Sequence, residues 1–294
     1  MKRTKSIKKA SLILCSDIHL REDTPTCWTG DFLEEQTKAL LTLSRLQEKH
    51  ECPVIHAGDL FHHWKPSPWL LSYAIEYLPN DFYTIYGQHD LPQHNWELRE
   101  KSGIFTLDMA ERIKVLRGYH YGQVPDEEES LPKSDNTGSK KILVWHHMTY
   151  TTAPFPGATG GQAEGILRKY PQFDLILTGD NHQSFSTEYK GRLLVNPGNL
   201  TRQSAIQIDY KPRVALWYQR TNTIKWVYMP IKQDVITREH IDVRKEGEAH
   251  IEAFVSRLNT DWKATLSFKD NLKIFFNKNK VKDDVKQIIY KAID

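Results

Sequence analysis

Short apolar runs recur along the chain, and each run ends in polar residues. Six such runs lie at residues 11–17, 53–59, 82–90, 141–147, 174–180 and 192–199. Continuous apolar stretches of this length are typical of strands that are buried on both faces. Between them, residues 31–50 and 66–78 carry the apolar spacing of amphipathic helices. The alternation predicts a layered α/β fold with helices outside the sheet.

The pattern changes from residue 213 onward. The segments that follow predict, in order, a hairpin, a helix, a strand and a helix, at 213–231, 246–258, 272–276 and 281–293. We therefore divide the chain into a main domain at residues 1–212 and a small α+β domain at residues 213–294. The polar segment 125–140 predicts a loop between strands.

Composition is that of an ordinary globular chain, with 39% hydrophobic and 26% charged residues. No apolar run approaches the roughly 20 residues of a membrane helix, and the apolar run after the basic start is too short for a secretory signal. Residues 1–10 carry five basic and no acidic residues, and residues 261–294 carry eight Lys against five Asp. Solubilising ends and contacts to a phosphate backbone both explain this charge distribution.

Residues that can carry chemistry fall where the predicted strands end. Five runs finish in side chains that can bind a metal: Asp17, His19, Asp59, Gln88, His89, Asp90, His146, His147, Asp180 and His182. Because the carboxyl ends of strands in an α/β sheet converge on one crevice, we expect these side chains to meet. Oxygen and imidazole ligands without thiolates favour Mn, Fe, Mg or Zn. The set exceeds one tetrahedral site, and Asp59 suits a carboxylate that bridges two ions.

The ordered motifs resemble those of a known family. DIH (17–19), GD (58–59), GQHD (87–90), the strand-end His146 and GDNH (179–182) are similar to the five motifs of the calcineurin-like metallophosphoesterases. The resemblance covers residues 11 to about 200. It implies a β-sandwich core flanked by helices and two divalent ions, with Mn preferred and Mg as the alternative.

The resemblance also implies a role for each matching residue. The expected metal ligands are Asp17, His19 and His182 for one ion, Gln88, His146 and Asp180 for the other, and Asp59 as the bridge. His89 is expected to face the scissile phosphate and assist the leaving oxygen. Asp90 is expected to orient His89 through a hydrogen bond, and His62 to help place the phosphate.

Two positions depart from the family pattern. The family Asn is Gln88 here, and the first His of the last motif is Asp180. Both substitutions keep an oxygen donor and both fall on the same expected ion, which predicts an oxygen-rich second site that favours Mn or Mg over Zn. A degraded second site, with only one ion bound well, is the alternative.

Further motifs resemble one branch of this family and indicate the class of substrate. GDLFH (58–62) with PSP (66–68), and NPGNLTR (196–202), are similar to the DNA-nuclease branch, the SbcD-type exonucleases and the small subunits of phage recombination nucleases. This implies a DNA exo- or endonuclease of recombination, repair or replication in the cytoplasm of a bacterial or phage-infected cell. It implies a homodimer, a Rad50-like ATPase partner and a DNA-orienting role for the C-terminal domain. The ATPase would be a separate chain, since no P-loop motif is present here.

Two other functions stay open at this point. One is a phosphoesterase of the same fold that acts on nucleotides or phosphoproteins instead of DNA. The other is a catalytically weak DNA-binding scaffold subunit, which the departures at Gln88 and Asp180 suggest.

Overall fold

Strands and helices alternate along the main part of the chain, as the apolar pattern predicts. The computed structural model describes residues 8–125, 140–153, 159–239, 241 and 268–293. The strands are β1 Leu12–Cys15, β2 Val54–His56, β3 Phe82–Thr84, β4 Lys114–Val115, β5 Ile142–Trp145, β6 Thr149–Tyr150, β7 Gly161–Gln162, β8 Leu175–Thr178, β9 Phe185–Tyr189, β10 Arg192–Asn196, β11 Arg213–Tyr218 and β12 Thr223–Tyr228. The helices are α1 Phe32–His50, α2 Pro68–Tyr77, α3 Gly103–Met109, α4 Ala163–Lys169, α5 Phe268–Lys278 and α6 Asp283–Ile293. Each of the six predicted apolar runs contains a strand, and both predicted helices of the main domain are present.

Two sheets carry the core. The first has the order β12-β11-β1-β2-β3-β4 and the second the order β5-β8-β10-β9, while β6 and β7 form a separate pair. In the first sheet β1, β2 and β3 are parallel, with Cys15 opposite His56 and His56 opposite Thr84. In the second sheet β5 and β8 are parallel, with Trp145 opposite Thr178. Neighbouring strands therefore end at the same level, and the loops after them leave the sheets side by side.

Side chains that alternate along each strand divide between two faces. The facing surfaces of the two sheets share an apolar cluster that includes Leu14, Ile55, Ile85, Val144, Leu177 and Val195. The outer face of the first sheet packs on the helices through Ile13, Val54, Phe82, Leu40, Leu43, Ala74 and Leu107. The outer face of the second sheet packs through Leu143, Trp145, Ile176, Ile166 and Leu167. The predicted sandwich flanked by helices is confirmed.

Helix α1 covers the first sheet and begins at a defined cap. Asp31 accepts a hydrogen bond from the backbone N–H of Glu34 at 3.0 Å, which satisfies one of the donors that the first helical turn leaves unpaired. Among the described residues, α1 is the longest helix at 19 residues. None of the helices in the described ranges combines the length and the apolar character that a membrane crossing requires.

The hairpin of β11 and β12 belongs to the first sheet. Strand β11 pairs antiparallel with β1, with Leu12 opposite Trp217. The chain divides into two compact units, residues 1–237 and residues 238–294. The hairpin therefore lies in the main unit, whereas the sequence division at residue 213 assigns it to the C-terminal domain. Which sheet a hairpin joins depends on a partner strand about 200 residues away, and the local pattern does not encode that partner.

The C-terminal unit contains helices α5 and α6 among its described residues. Leu272, Phe275 and Phe276 of α5 pack with Ile289 and Tyr290 of α6. The predicted strand at 272–276 is wrong, because this segment lies inside α5. Its apolar residues stand at helical intervals, and a run of five residues is too short to separate the two periods. The predicted helix at 281–293 is confirmed as α6, and the helix expected near 246–258 lies outside the described residues.

Asn222 connects the β11–β12 turn to the second sheet through side-chain hydrogen bonds. Its Oδ1 accepts from Trp217 Nε1 at 2.9 Å, and its Nδ2 donates to the carbonyls of Asp174 at 2.9 Å and Gly191 at 2.8 Å. Asn222→Ala leaves a buried indole N–H without its acceptor, and we expect a loss of about 3 kcal/mol in the free energy of unfolding. Denaturant unfolding of the full chain measures it.

Thr221→Ala, an exposed change in the same turn, is the matched control and is expected to stay within about 0.5 kcal/mol of the parent. Equal losses in the two variants would show that the turn itself, and not the Asn222 hydrogen bonds, sets the stability.

Candidate metal centre

The loops that follow β1, β2, β3, β5 and β8 meet at one place. The backbone N–H of Asp180 donates to Asp17 Oδ1 at 3.0 Å, which joins the loop after β8 to the loop after β1. The backbone N–H of His89 donates to Asp59 Oδ1 at 2.8 Å, which joins the loops after β3 and β2. Through contacts of 4.0 Å or less, the structure brings together all seven expected metal ligands: Asp17, His19, Asp59, Gln88, His146, Asp180 and His182.

Asp17, His19 and His182 form one group of ligand atoms. The Nε2 atoms of His19 and His182 lie 3.3 Å apart, and Nε2 of His182 lies 4.0 Å from Asp17 Oδ1. Two imidazole nitrogens that bind one ion at about 2.1 Å each are separated by roughly this distance. The side chain of His182 is 42% exposed whereas that of Asp17 is fully buried, so this group opens to solvent on the His182 side.

Gln88, His146 and Asp180 form the second group. Gln88 Oε1 lies 2.8 Å from His146 Nε2, and Gln88 Nε2 donates to Asp180 Oδ1 at 2.7 Å. Nδ1 of His146 lies 2.6 Å from the carbonyl oxygen of Ala57, which can only accept. The hydrogen of a neutral His146 ring is therefore on Nδ1, and Nε2 keeps the lone pair that a metal ligand needs.

Asp59 stands between the two groups. Its Oδ2 lies 3.7 Å from Nε2 of His19 and 3.6 Å from Nε2 of His146, one histidine from each group. This oxygen is buried and has no hydrogen-bond partner. Its other oxygen, Oδ1, is fixed by the N–H of His89. A carboxylate in this position can bind two ions.

The electrostatics of the site fit a bound cation. Burial raises the pKa of Asp17 to about 6, and burial also raises the pKa of Asp59 well above its ordinary value, with Asp90 and Asp17 adding to the effect. Oδ2 of Asp17, Oδ2 of Asp59 and Nδ1 of His19 are buried without a partner. Burial holds the pKa of His19 well below its ordinary value, which keeps the ring in the neutral form that binds metals. Divalent cations suit this set of buried oxygens and neutral imidazoles.

Four of the expected ligands have a left-handed backbone conformation. Asp17, His19, Asp59 and Asp180 have φ values of 48°, 49°, 59° and 75°. Residues with a side chain adopt this region at a cost, and such outliers concentrate at functional sites. The surrounding hydrogen bonds therefore have to hold these loops in place.

Asp90 supplies several of those hydrogen bonds. Its Oδ2 accepts from the backbone N–H of Asp59 at 2.8 Å, of Leu60 at 3.2 Å and of Gly87 at 3.0 Å, and its Oδ1 accepts from Phe61 at 3.1 Å. The expected hydrogen bond between Asp90 and His89 is wrong, because four backbone donors occupy this buried carboxylate. Asp90 instead fixes the loop after β2 against the loop after β3.

The glycines of the GD and GQHD motifs allow these loops to approach closely. A Cβ atom on Gly87 would overlap Oδ1 of Asp59, and a Cβ atom on Gly58 would overlap Nδ1 of His146. Gly58 also has a φ of 92°, which a side chain disfavours. A side chain at either position would therefore displace an expected metal ligand.

His89 and His62 lie beside the first group of ligands. Nδ1 of His89 is 2.8 Å from the carbonyl oxygen of His62, so this nitrogen carries a hydrogen and donates it. The His89 ring stacks on His62 with centroids 5.5 Å apart and meets His19 edge-on at 4.8 Å. Burial lowers the pKa of His62 to about 4 and lowers the pKa of His89, so both rings are neutral near pH 7 in the metal-free protein.

A cavity of about 190 Å³ opens above these histidines. It is lined by His19, Arg21, His62, His89, His182, Asn199, Gln203, Ser204 and Gln207. The sequence assigns no role to Arg21 or to the four lining residues from Asn199 to Gln207. Gln203 Nε2 donates to the carbonyls of Ile18 and His19, each at 3.1 Å. The motif NPGNLTR (196–202) contains Asn199 and directly precedes the other three residues of this wall. Its resemblance to the DNA-nuclease branch marks the segment as functional but does not predict which residues line the cavity.

Two other strand histidines have structural contacts. Nδ1 of His56 is 2.8 Å from Thr84 Oγ1 inside the first sheet. His147, one of the candidate ligands in the sequence, stacks on Trp145 with centroids 4.0 Å apart and lies outside the two ligand groups. β5 ends at Trp145, and His147 stacks back on that residue while His146 Nε2 faces Gln88.

The chain is similar to a DNA-repair protein and to several solved phosphoesterases. DNA double-strand break repair protein Mre11 from Haloferax volcanii is 28% identical over 169 residues, which are 53% of this chain and only 38% of that relative. A novel archaeal phosphodiesterase structure matches at 15% identity and a TM-score of 0.40, covering 74% of this chain and 99% of the other. A putative 5'-nucleotidase from Staphylococcus aureus matches at 14% identity and 0.45, covering 81% and 58%. At these scores the structural likenesses bear on neither activity nor substrate.

A family model covers the part of the chain that holds the site. The calcineurin-like phosphoesterase superfamily domain matches residues 11–211. This span begins just before β1, includes every expected ligand from Asp17 to His182 and ends just before β11. It is well over half of the 294 residues, so the chain belongs to the calcineurin-like phosphoesterase superfamily.

Proposed function

We propose that this protein is a two-metal DNA phosphodiesterase, a nuclease of DNA recombination, repair or replication. Membership of its family supports a metal-dependent phosphoesterase. The observation that carries the two-metal proposal is Oδ2 of Asp59, buried and without a partner between His19 at 3.7 Å and His146 at 3.6 Å. A carboxylate in that position can serve both ligand groups at once.

Each ligand group suits one divalent ion. Asp17, His19 and His182 would hold the first ion, and Gln88, His146 and Asp180 the second, with Asp59 shared. When bound, two such ions clamp a phosphate and lower the pKa of a water molecule, which supplies the nucleophile of hydrolysis. The second group has two oxygen ligands and one nitrogen ligand, and we propose Mn, with Mg as the alternative.

His89 is proposed to handle the proton of the leaving group. Its Nδ1 donates a hydrogen bond to the carbonyl of His62 at 2.8 Å, so Nε2 is the nitrogen available to the substrate. The ring is neutral in the metal-free protein, and a phosphate anion in the cavity favours uptake of a second proton. The protonated ring can then donate from Nε2 to the leaving oxygen. His62 stacks on this ring and limits its orientation.

DNA is proposed as the substrate on two grounds. The blocks GDLFH, PSP and NPGNLTR are similar to the DNA-nuclease branch of the family. The relative from Haloferax volcanii is a protein of DNA double-strand break repair. A second copy of the chain and a Rad50-like ATPase are the proposed partners, and the C-terminal residues are proposed to orient DNA.

One observation favours a second candidate function, a catalytically weak DNA-binding subunit. Gln88 Nε2 already donates to Asp180 Oδ1 at 2.7 Å, so these two side chains of the second group can persist without an ion. Metal analysis separates the two functions, since two ions per chain support the enzyme and none supports the scaffold.

The substrate class is tested by comparing duplex DNA, mononucleotides and a chromogenic phosphodiester, each with Mn or Mg. Efficient cleavage of DNA supports the proposal. Hydrolysis of mononucleotides or the small diester without cleavage of DNA would show a phosphoesterase with another substrate.

Asp59→Asn tests the shared carboxylate. A neutral amide bridges two ions poorly, so we expect loss of both ions and a fall of more than about 10²-fold in DNA cleavage. Burial raises the pKa of Asp59, so ionisation of this carboxylate lowers the stability of the metal-free fold. The loss of stability grows as the pH rises through the raised pKa. The metal-free variant should therefore melt at a higher temperature than the metal-free parent at pH 8, with a smaller difference at pH 5.

Elemental analysis, cleavage assays and melting of one preparation measure these three effects. Asp81→Asn, a change at an exposed aspartate, is the control. Two ions per chain in the Asp59 variant would contradict the bridging role.

Gln88 and Asp180 are tested as a matched pair. Asp180→His alone removes the acceptor of the Gln88 amide, and we expect metal affinity at the second group to fall about 10- to 100-fold. Gln88→Asn combined with Asp180→His restores the family pattern and should recover the affinity with a shift toward Zn. Calorimetric titration with Mn and Zn measures this, and identical affinities in all variants would show that the pair is incidental.

His89→Asn separates catalysis from metal binding. The variant should keep both ions and lose about 10²- to 10⁴-fold in single-turnover rate, because general acid help is removed. His63→Asn, at an exposed histidine of the neighbouring loop, should retain the parental rate. Loss of an ion together with the activity would instead identify His89 as a ligand.

A further inference from the structure

The cavity beside the metal centre carries one fixed positive charge. Among the described residues that line it, Arg21 is the single Lys or Arg, and the others are histidines, amides and a serine. The Arg21 side chain is 15% exposed, so most of it is packed into the wall. The substrate of a phosphodiesterase is an anion, and a guanidinium in this wall suits recognition of a phosphate.

Hydrogen bonds on both sides fix the backbone that carries Arg21. The buried Gln36 of α1 accepts from the N–H of Arg21 at 3.1 Å and donates to its carbonyl at 2.8 Å. Gln203 donates to the carbonyls of Ile18 and His19, each at 3.1 Å. Two side chains from distant parts of the chain thus hold the segment at residues 18–21. The guanidinium extends from a fixed point, as a side chain that recognises a ligand requires.

Asp23 forms an ion pair with the guanidinium of Arg21. Nε of Arg21 donates to Asp23 Oδ1 at 3.0 Å, and Nη2 donates to Asp23 Oδ2. The side chain of Asp23 is 68% exposed. An ion pair with so exposed a partner contributes little to stability. A phosphate offers the same two-oxygen geometry as this carboxylate.

We propose that Arg21 binds a phosphate of the substrate backbone and that Asp23 holds the guanidinium until that phosphate displaces it. The exchange replaces one anion by another, so the charge of the wall is conserved. It replaces an exposed partner by one that the cavity encloses. The inference rests on the proposed function only for the identity of the substrate, because it concerns a phosphate anion of any phosphodiester.

The metal-loaded chain of 294 residues is tested with Arg21→Ala, Asp23→Asn and the double variant. Arg21→Ala should raise the KM for duplex DNA about tenfold and reduce the salt slope of binding by about one contact. Asp23→Asn should lower the KM about threefold, because the internal competitor is gone. In the double variant the Asp23 change should have no further effect. Arg21→Lys, which keeps the charge and loses the two-pronged geometry, should recover part of the affinity.

Arg168 and Glu164 supply the matched control. They form an exposed ion pair on α4, in which Nε and Nη2 of Arg168 both donate to Oε1 of Glu164. Arg168→Ala and Glu164→Gln therefore remove the same charges elsewhere. These variants should leave KM unchanged. Metal content and melting temperature, measured for all variants, should also stay constant. The inference is overturned if Asp23→Asn lowers KM equally in the parent and in the Arg21→Ala variant. The effect of Asp23 would then be long-range repulsion of the substrate and would not depend on Arg21.

A second readout keeps the inference distinct from the proposed function. Inorganic phosphate is used to inhibit hydrolysis of a chromogenic phosphodiester, and Arg21→Ala should raise its inhibition constant about tenfold. If the parent hydrolyses this diester and leaves DNA intact, the proposed substrate is wrong while the inhibition constants still decide the role of Arg21. An unchanged inhibition constant would overturn that role whatever the substrate is.

Discussion

The carboxylate of Asp90 is the constraint on which the arrangement of the site depends. It accepts backbone hydrogen bonds from Gly87 in the loop after β3 and from Asp59, Leu60 and Phe61 in the loop after β2. The two loops follow adjacent parallel strands, and neither strand ladder continues into them. Together with the hydrogen bonds of His89 to Asp59 Oδ1 and to the carbonyl of His62, this side chain sets the distance between the Asp59 and Gln88 segments, and with it the distance between the two ligand groups. The left-handed conformation of Asp59 is one cost of this connection.

The same region destabilises the metal-free fold. Asp17 and Asp59 are fully buried, and each has an oxygen without a partner. Buried carboxylates without compensation cost free energy, and burial shifts the pKa of both upward. The apolar clusters around Leu14 and Leu40, on the two faces of the first sheet, offset that cost. The protein thus gives up stability at the point where cations would bind.

Much of the main unit follows from its sequence. The apolar runs predict the strands because strands buried on both faces need such runs. The strand ends predict that the candidate ligands lie together because parallel strands end at one edge. The role of Asp90 could not be predicted in this way, since its partners are backbone N–H groups that every residue carries. The same reason hides Gln203, which binds carbonyls of the segment that holds His19. The residues at 272–276 were ambiguous because the helical and extended periods coincide over so short a run.

Gln88 explains how the second ligand group can differ from the family pattern and stay coherent. With an asparagine at this position the amide would be one methylene shorter. The longer side chain lets one amide reach both His146 and Asp180, at 2.8 and 2.7 Å. Asp180 brings an acceptor where the family pattern has an imidazole, so its carboxylate complements the amide N–H of Gln88. Each departure would leave an unmatched polar group if it occurred alone. The two substitutions are thus linked by one hydrogen bond, and they change the second ligand group as a unit while the first keeps the family pattern.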